Sequence, residues 1–154
     1  MSKQKNNILL ITSDQQHWDT IGLDNPEIQT PHLDRLTQEG MIFKRAYCPN
    51  PTCTPTRASI ITGKFPSQHG AYSLGTKLLE SQHTVGEDFL AAGYRTALVG
   101  KAHFQPLQGT DEFSSLESYP ILQDLDFWRN FDQPFYGFEH VELARNHADE
   151  AHVG

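Results

Sequence analysis

Short apolar runs alternating with helix start and stop signals constrain this chain more than any other feature of its sequence. The stretch Asn7 to Thr12 is continuously apolar from Ile8 to Ile11, without alternation, which predicts a strand covered on both faces in a mostly parallel sheet. It ends at Asp14. Thr30, then Pro31 at a first helical position, Leu33 and Leu36 on one face and Gly40 as a stop predict a short helix, and Met41 to Tyr47 reads as a second strand. Pro49, Asn50, Pro51 and Thr52 form a breaker-rich loop. Pro55 opens a helix through Ala58, Ile60 and Ile61 to Gly63, which puts Cys53 at a helix N-terminus. Thr84 with Glu87 is a capping-box pair, with Phe89 and Leu90 inside the helix and Gly93 at its end; Tyr94 to Val99 is the next strand. This alternation implies an α/β fold, a mostly parallel sheet with flanking helices whose functional loops gather at the carboxyl ends of the strands. Asp14 and Lys101 occupy such ends. Beyond Phe104 the pattern dissolves into aromatic and acidic residues with Pro106, Pro120 and Pro134, and no element is placed there.

Length and charge exclude several classes. A chain of 154 residues with 37% hydrophobic side chains suits one domain able to bury a core. No stretch approaches the roughly 20 apolar residues of a membrane span, so neither a span nor a secretory signal is expected. Two cysteines make no disulfide framework, and the reducing cytoplasm is the expected compartment. The net charge of −7 is concentrated in the tail: up to Thr110 there are ten basic and nine acidic side chains, and beyond it two basic and ten acidic. A near-neutral body with an acidic tail is not the clustered basic surface of a nucleic-acid binder.

Cys53 carries the most chemistry. A helix dipole and the cation of Arg57, four residues on, both favour a thiolate, so a thiol-dependent enzyme using unmodified Cys53 is one reading of these residues. A buried, inert Cys53 with Arg57 in a surface ion pair is the plainer one.

The longer pattern around these residues resembles a family. Cys53-Thr54-Pro55-Thr56-Arg57 matches the Cys-x-Pro-x-Arg signature of the formylglycine-dependent sulfatases, in the alkaline phosphatase superfamily, and Ala58-Ser59-Ile60-Ile61-Thr62-Gly63 continues it. Gly93-Tyr94-Arg95-Thr96 followed by Gly100-Lys101-Ala102-His103 is similar to that family's Gly-Tyr-x-Thr and Gly-Lys-x-His elements. Thr30-Pro31-His32-Leu33-Asp34-Arg35-Leu36 and Gly63 to Gly70 also look like family segments, with a packing role for the first and a structural role for His69 in the second. The resemblance runs from Asn7 to about His103.

It implies a sulfuric ester hydrolase with an alkaline-phosphatase-like fold, represented here by an incomplete, N-terminal part of the catalytic domain. Cys53 would be oxidised to formylglycine by a separate maturation enzyme, Arg57 would stabilise the resulting diol, Lys101 would contact the sulfate, and His103 would contact the diol or the leaving oxygen. A divalent metal is implied at Asp14, Gln15 and the modified Cys53. Many relatives carry two acids where this chain has Asp14-Gln15, one negative charge fewer; calcium is expected, with magnesium and manganese as alternatives. The family's second metal-binding pair, an Asp followed by Asn or His, and a further Lys come much later in far longer chains, and nothing in this sequence supplies them. His17 and Trp18 fit pocket walls, and His147 and His152 fit surface positions.

Three readings follow. The first is a hydrolase of small-molecule sulfate esters, without nucleic-acid or membrane partners. A phosphonate monoester or phosphodiester hydrolase of the same superfamily is the alternative enzyme, often sharing the Asp-Gln pair but carrying uncharged hydroxyl residues where Lys101 and His103 stand. A non-catalytic truncated fragment is the third.

Overall fold

The structure, a computed structural model, describes residues 5–109, 114–145 and 150–151. The chain divides into two compact units, Met1–Ala46 and Tyr47–Gly154.

In the first unit the helix predicted after Thr30 forms as α1, Pro31–Glu39, with Pro31 in its first turn and Gly40 closing it. Thr30 and Asp34 tie the preceding loop to it: the Gly22 N–H donates to Thr30 Oγ1 (2.7 Å), which donates to Asp34 Oδ1 (2.8 Å). The two strands expected in this unit do not form. Ile8, Leu9, Leu10 and Ile11 are exposed, and residues 41–47 are irregular around a turn. A strand is defined by its ladder to a neighbour, and among the described residues neither segment has one, so the apolar run alone does not make a strand.

The second unit holds α2, Cys53–Thr62, α3, Pro66–His69, α4, Val85–Ala91, β1, Ala97–Gly100, a 3-10 turn at Ile121–Gln123, α5, Leu125–Arg129, β2, His140–Arg145, and β3, Glu150–Ala151. Gly63 ends α2 in the left-handed region at φ 67°, a conformation glycine adopts without a Cβ penalty. The capping box at α4 is present: the Thr84 N–H donates to Glu87 Oε2 (2.9 Å) and the Glu87 N–H to Thr84 Oγ1 (3.5 Å). β1 starts three residues later than expected. It pairs in parallel with β2 in the register Ala97↔His140 to Gly100↔Leu143, and β2 pairs antiparallel with β3.

The core gathers Ala58 and Ile61 of α2 with Ala71, Leu78, Ala102, Phe104, Leu122, Trp128, Phe135, Tyr136 and Leu143. Much of it comes from the region after Phe104 in which no element was expected. There α5 is capped by Asp124, which accepts the Phe127 N–H (2.9 Å), and the Trp128 indole donates to the Ile121 carbonyl (3.0 Å). Phe135 and Phe138 exchange backbone hydrogen bonds around Tyr136 and Gly137, both at positive φ (49° and 82°), as in a two-residue type I′ turn. That turn is pinned from two sides: Thr84 Oγ1 donates to the Tyr136 carbonyl and Thr96 Oγ1 to the Gly137 carbonyl, each at 2.8 Å. No helix among the described residues is long and apolar enough to cross a membrane. His147 and His152 lie outside the described residues.

Candidate functional site

Cys53 is the first residue of α2, which starts two residues before Pro55, the expected opener. Its turn is fixed by Asn50, whose side-chain oxygen accepts the Thr52 N–H (2.8 Å) and whose carbonyl accepts the Thr56 hydroxyl. The half-buried thiol is unpaired with Cys48. It therefore sits where a helix presents N–H groups without intrahelical partners, a setting that favours negative charge.

The loop after β1 meets this helix end. Lys101 directs its ammonium to the Cys53 sulfur, Nζ to Sγ 3.5 Å. Arg57, one turn along α2 from Cys53, donates through Nη1 to the Lys101 carbonyl, so the same helix that carries Cys53 also holds the backbone of the residue facing it. Three of the site residues expected from the sequence, Cys53, Arg57 and Lys101, are thus in contact. His103 belongs to the same loop, buried at 3% exposure and at φ 55°. A left-handed histidine costs on the order of 1 kcal/mol, and the backbone there is held by a residue the sequence did not single out.

That residue is Glu117. Its carboxylate accepts the N–H groups of three consecutive residues, His103 at Oε2 and Phe104 (2.7 Å) and Gln105 (2.9 Å) at Oε1. Burial pushes its carboxyl up to about 7, against the pull of these three amides and of the Arg57 charge. No local motif marks Glu117: it stands in the acidic, unpatterned region, and its partners are 12 to 14 residues away.

Behind α2, His69 makes structural hydrogen bonds. The Ala71 N–H donates to His69 Nδ1 (3.1 Å), which leaves the ring proton on Nε2, 3.0 Å from Ser59 Oγ of α2. Burial is the main reason its pKa is lowered, with the Lys64 charge acting the same way and a hydrogen bond to the Pro55 carbonyl opposing. A histidine with a depressed folded-state pKa stabilises fully above its unfolded value of 6.5, and that contribution is lost as pH falls through the folded value. His69→Ala is expected to lose about 1–3 kcal/mol near pH 8. Urea unfolding at acid pH should show a smaller gap between the two proteins, and a gap that widens toward acid would contradict this account.

Asp14 and Gln15 belong to the first unit, at a bend that follows the exposed 7–12 segment, with Gln15 at φ 53°. His17 pairs with Asp19 and its ring tilts against Trp18 (centroids 5.6 Å). Among the described residues no group of three or more His, Cys, Asp or Glu side chains is placed to hold a metal ion. Asp14 is the one carboxylate in the expected donor set, too little by itself for the six to eight oxygens that calcium takes. A recess of about 690 Å3 beside Lys77, Glu80, Leu116, Asp126 and Phe127 contains none of the expected site residues.

A parallel pair of strands flanked by helices, with Cys53 on a helix N-terminus, is an incomplete α/β fold of the alkaline-phosphatase-like kind. The sulfatase family model matches residues 6–152, and the chain belongs to the sulfatase family. It is 34% identical over 131 residues to the N-acetylgalactosamine-6-sulfatase of Mus musculus, a match covering 71% of this chain and 25% of that protein. With the arylsulfatase of Clostridium perfringens (strain 13 / Type A) it shares 40% identity over 131 residues, 82% of this chain and 26% of the relative. The solved structure of Ps i-CgsB has the same fold, with a TM-score of 0.67 at 23% identity over 93% of this chain and 29% of the other. The chain spans about a quarter of the length of the relatives it matches.

Proposed function

We propose that this chain carries the nucleophile and anion-binding half of a sulfuric ester hydrolase acting on small-molecule sulfate esters. The observation that supports this most directly is the Lys101 ammonium 3.5 Å from the Cys53 sulfur, in a loop tethered by Arg57. Oxidation of Cys53 by a maturation enzyme, with loss of its sulfur, gives the aldehyde formylglycine, and addition of water to it supplies one hydroxyl as nucleophile and a second able to expel sulfate. Lys101 then offers a compact cation to the sulfate oxygens, where charge develops as the ester bond breaks. Arg57 keeps that cation in place, and its remaining donors suit the oxygens on residue 53. His103 is the proton carrier nearest the site in sequence, suited to the departing alcohol. We propose calcium, ahead of magnesium or manganese, with Asp14 and Gln15 among its ligands. The cytoplasm, where Cys48 and Cys53 stay reduced before maturation, is the proposed compartment.

Asp14-Gln15 also suits the phosphonate monoester or phosphodiester hydrolase reading, and Lys101 with His103 favours sulfate. Rates of the intact, matured enzyme on an aryl sulfate and an aryl phosphonate monoester decide between them. The aryl sulfate is expected to have the higher kcat/KM by about tenfold or more, and Lys101→Met to lower it by about a hundredfold. A strong phosphonate preference would overturn the assignment.

A further inference from the structure

The loop that carries Lys101 and His103 has no regular structure of its own, although Arg57 holds the Lys101 carbonyl and the Leu78 N–H donates to the Phe104 carbonyl (2.8 Å). It leaves β1 through Gly100 at φ 102° and turns again at His103 at φ 55°, two left-handed positions around the residue that must face Cys53. Three successive N–H groups, those of His103, Phe104 and Gln105, point inward from it, and an inward N–H without an acceptor costs about 1–3 kcal/mol in general. All three converge on one side chain.

We propose that Glu117 is the positioning residue of this loop: its buried carboxylate, by gathering those three N–H groups, sets the direction in which Lys101 and His103 are presented to residue 53. The role of those two side chains rests on the sulfatase reading; the anchoring itself does not. A carboxylate only accepts hydrogen bonds and has room for about four, which matches three converging donors. An amide of the same shape would offer one acceptor and turn an NH2 group toward N–H groups. Glu117 is itself held, its N–H donating to Ser115 Oγ (3.1 Å), while the Leu116 N–H donates to Gln105 Oε1 (2.8 Å). The two segments are therefore laced in both directions.

Among the described residues, few charged or titratable groups face this carboxyl. Arg57 looks onto it from α2 and also donates to the Lys101 carbonyl. The Tyr136 phenol lies across Gln105, whose side chain also meets Glu80. With its carboxyl at about 7, Glu117 gains charge as pH rises through neutrality, and its three hydrogen bonds then become the stronger, charge-assisted kind.

Nuclear magnetic resonance of the 154-residue chain tests the anchor without any turnover. The Glu117 carboxyl carbon and the amides of His103, Phe104 and Gln105 are expected to titrate together with one midpoint near 7. Amides that do not follow the carboxyl in the wild-type protein overturn the proposal, whether or not any variant folds. In Glu117→Gln, hydrogen exchange at 103–105 should rise about tenfold or more while α2 and α4 keep their protection, with Glu117→Asp between the two; unchanged exchange in a folded Glu117→Gln also overturns it. In the intact, matured enzyme, Glu117→Gln should lower kcat on an aryl sulfate about a hundredfold with KM moved far less, and Glu117→Asp should recover part of it. A loosened loop with kcat intact removes the positioning role. A wild-type enzyme inert toward sulfate esters sinks the sulfatase reading instead, and the amide titration still decides the anchor.

Discussion

Cys53→Ser in the intact enzyme is expected to turn catalysis into a single event. Serine at the head of α2 keeps an oxygen in the place of the Cys53 sulfur, 3.5 Å from the Lys101 ammonium in the present structure, so attack on a sulfate ester remains geometrically available. The serine oxygen bonds to sulfur, the ester oxygen departs as the alcohol with a proton, and the enzyme is left as a serine sulfate. There the cycle stops, because serine has no second hydroxyl whose deprotonation can push sulfate out. Steady-state turnover should fall by at least about a thousandfold, with at most one equivalent of alcohol released and the sulfonate mass retained on the peptide bearing residue 53. Multiple turnovers by this variant would show that a diol is not needed. Rapid turnover by a wild-type protein whose Cys53 is still a thiol would favour the thiol-dependent reading.

Gly137→Ala is expected to have the largest effect on stability. Gly137 and Gly86 cross backbone against backbone: a Cβ at 137 would lie 2.5 Å from the Gly86 carbonyl carbon, at φ 82°. Neither partner is a flexible side chain that can swing away, since one is the turn held by Thr84 and Thr96 and the other is the first turn of α4. The expected loss is about 3 kcal/mol or more, enough to unfold a marginal domain. Gly75→Ala is the control. Its φ is 84° but nothing lies within 4 Å of the added carbon, so only the conformational term of about 1 kcal/mol remains. Urea midpoints for the two variants separate steric overlap from backbone preference, and equal losses would refute the crossing as the cause.

What could be read from the sequence was local. The Thr30-Pro31 start of α1, the Thr84/Glu87 box of α4 and the glycine ending α2 depend on residues within a turn of one another, and all three are found. Cys53, Arg57 and Lys101 could be named because their spacing is a motif, even though Lys101 comes to Cys53 across 48 residues. Long-range pairing was not legible. Residues 7–12 have the composition of a covered strand and no ladder among the described residues, whereas β2 reads His-Val-Glu-Leu-Ala-Arg, rich in good helix formers, and becomes a strand because β1 offers it a parallel edge. The aromatic cluster of Phe127, Trp128 and Phe131 forms around a five-residue helix too short to show periodicity. Glu117 was invisible for the same reason, since its importance lies in whose amides it receives.

The crossing of Gly86 and Gly137 also sets an order of events on the ribosome. α4 cannot settle against the turn, nor β1 against β2, until the chain beyond residue 137 has emerged. At about 5–20 residues per second, the roughly eighty residues between Cys53 and Gly137 take on the order of 4–16 s to synthesise. Throughout that interval α2, with Cys53 at its head, belongs to a chain whose sheet has not yet closed.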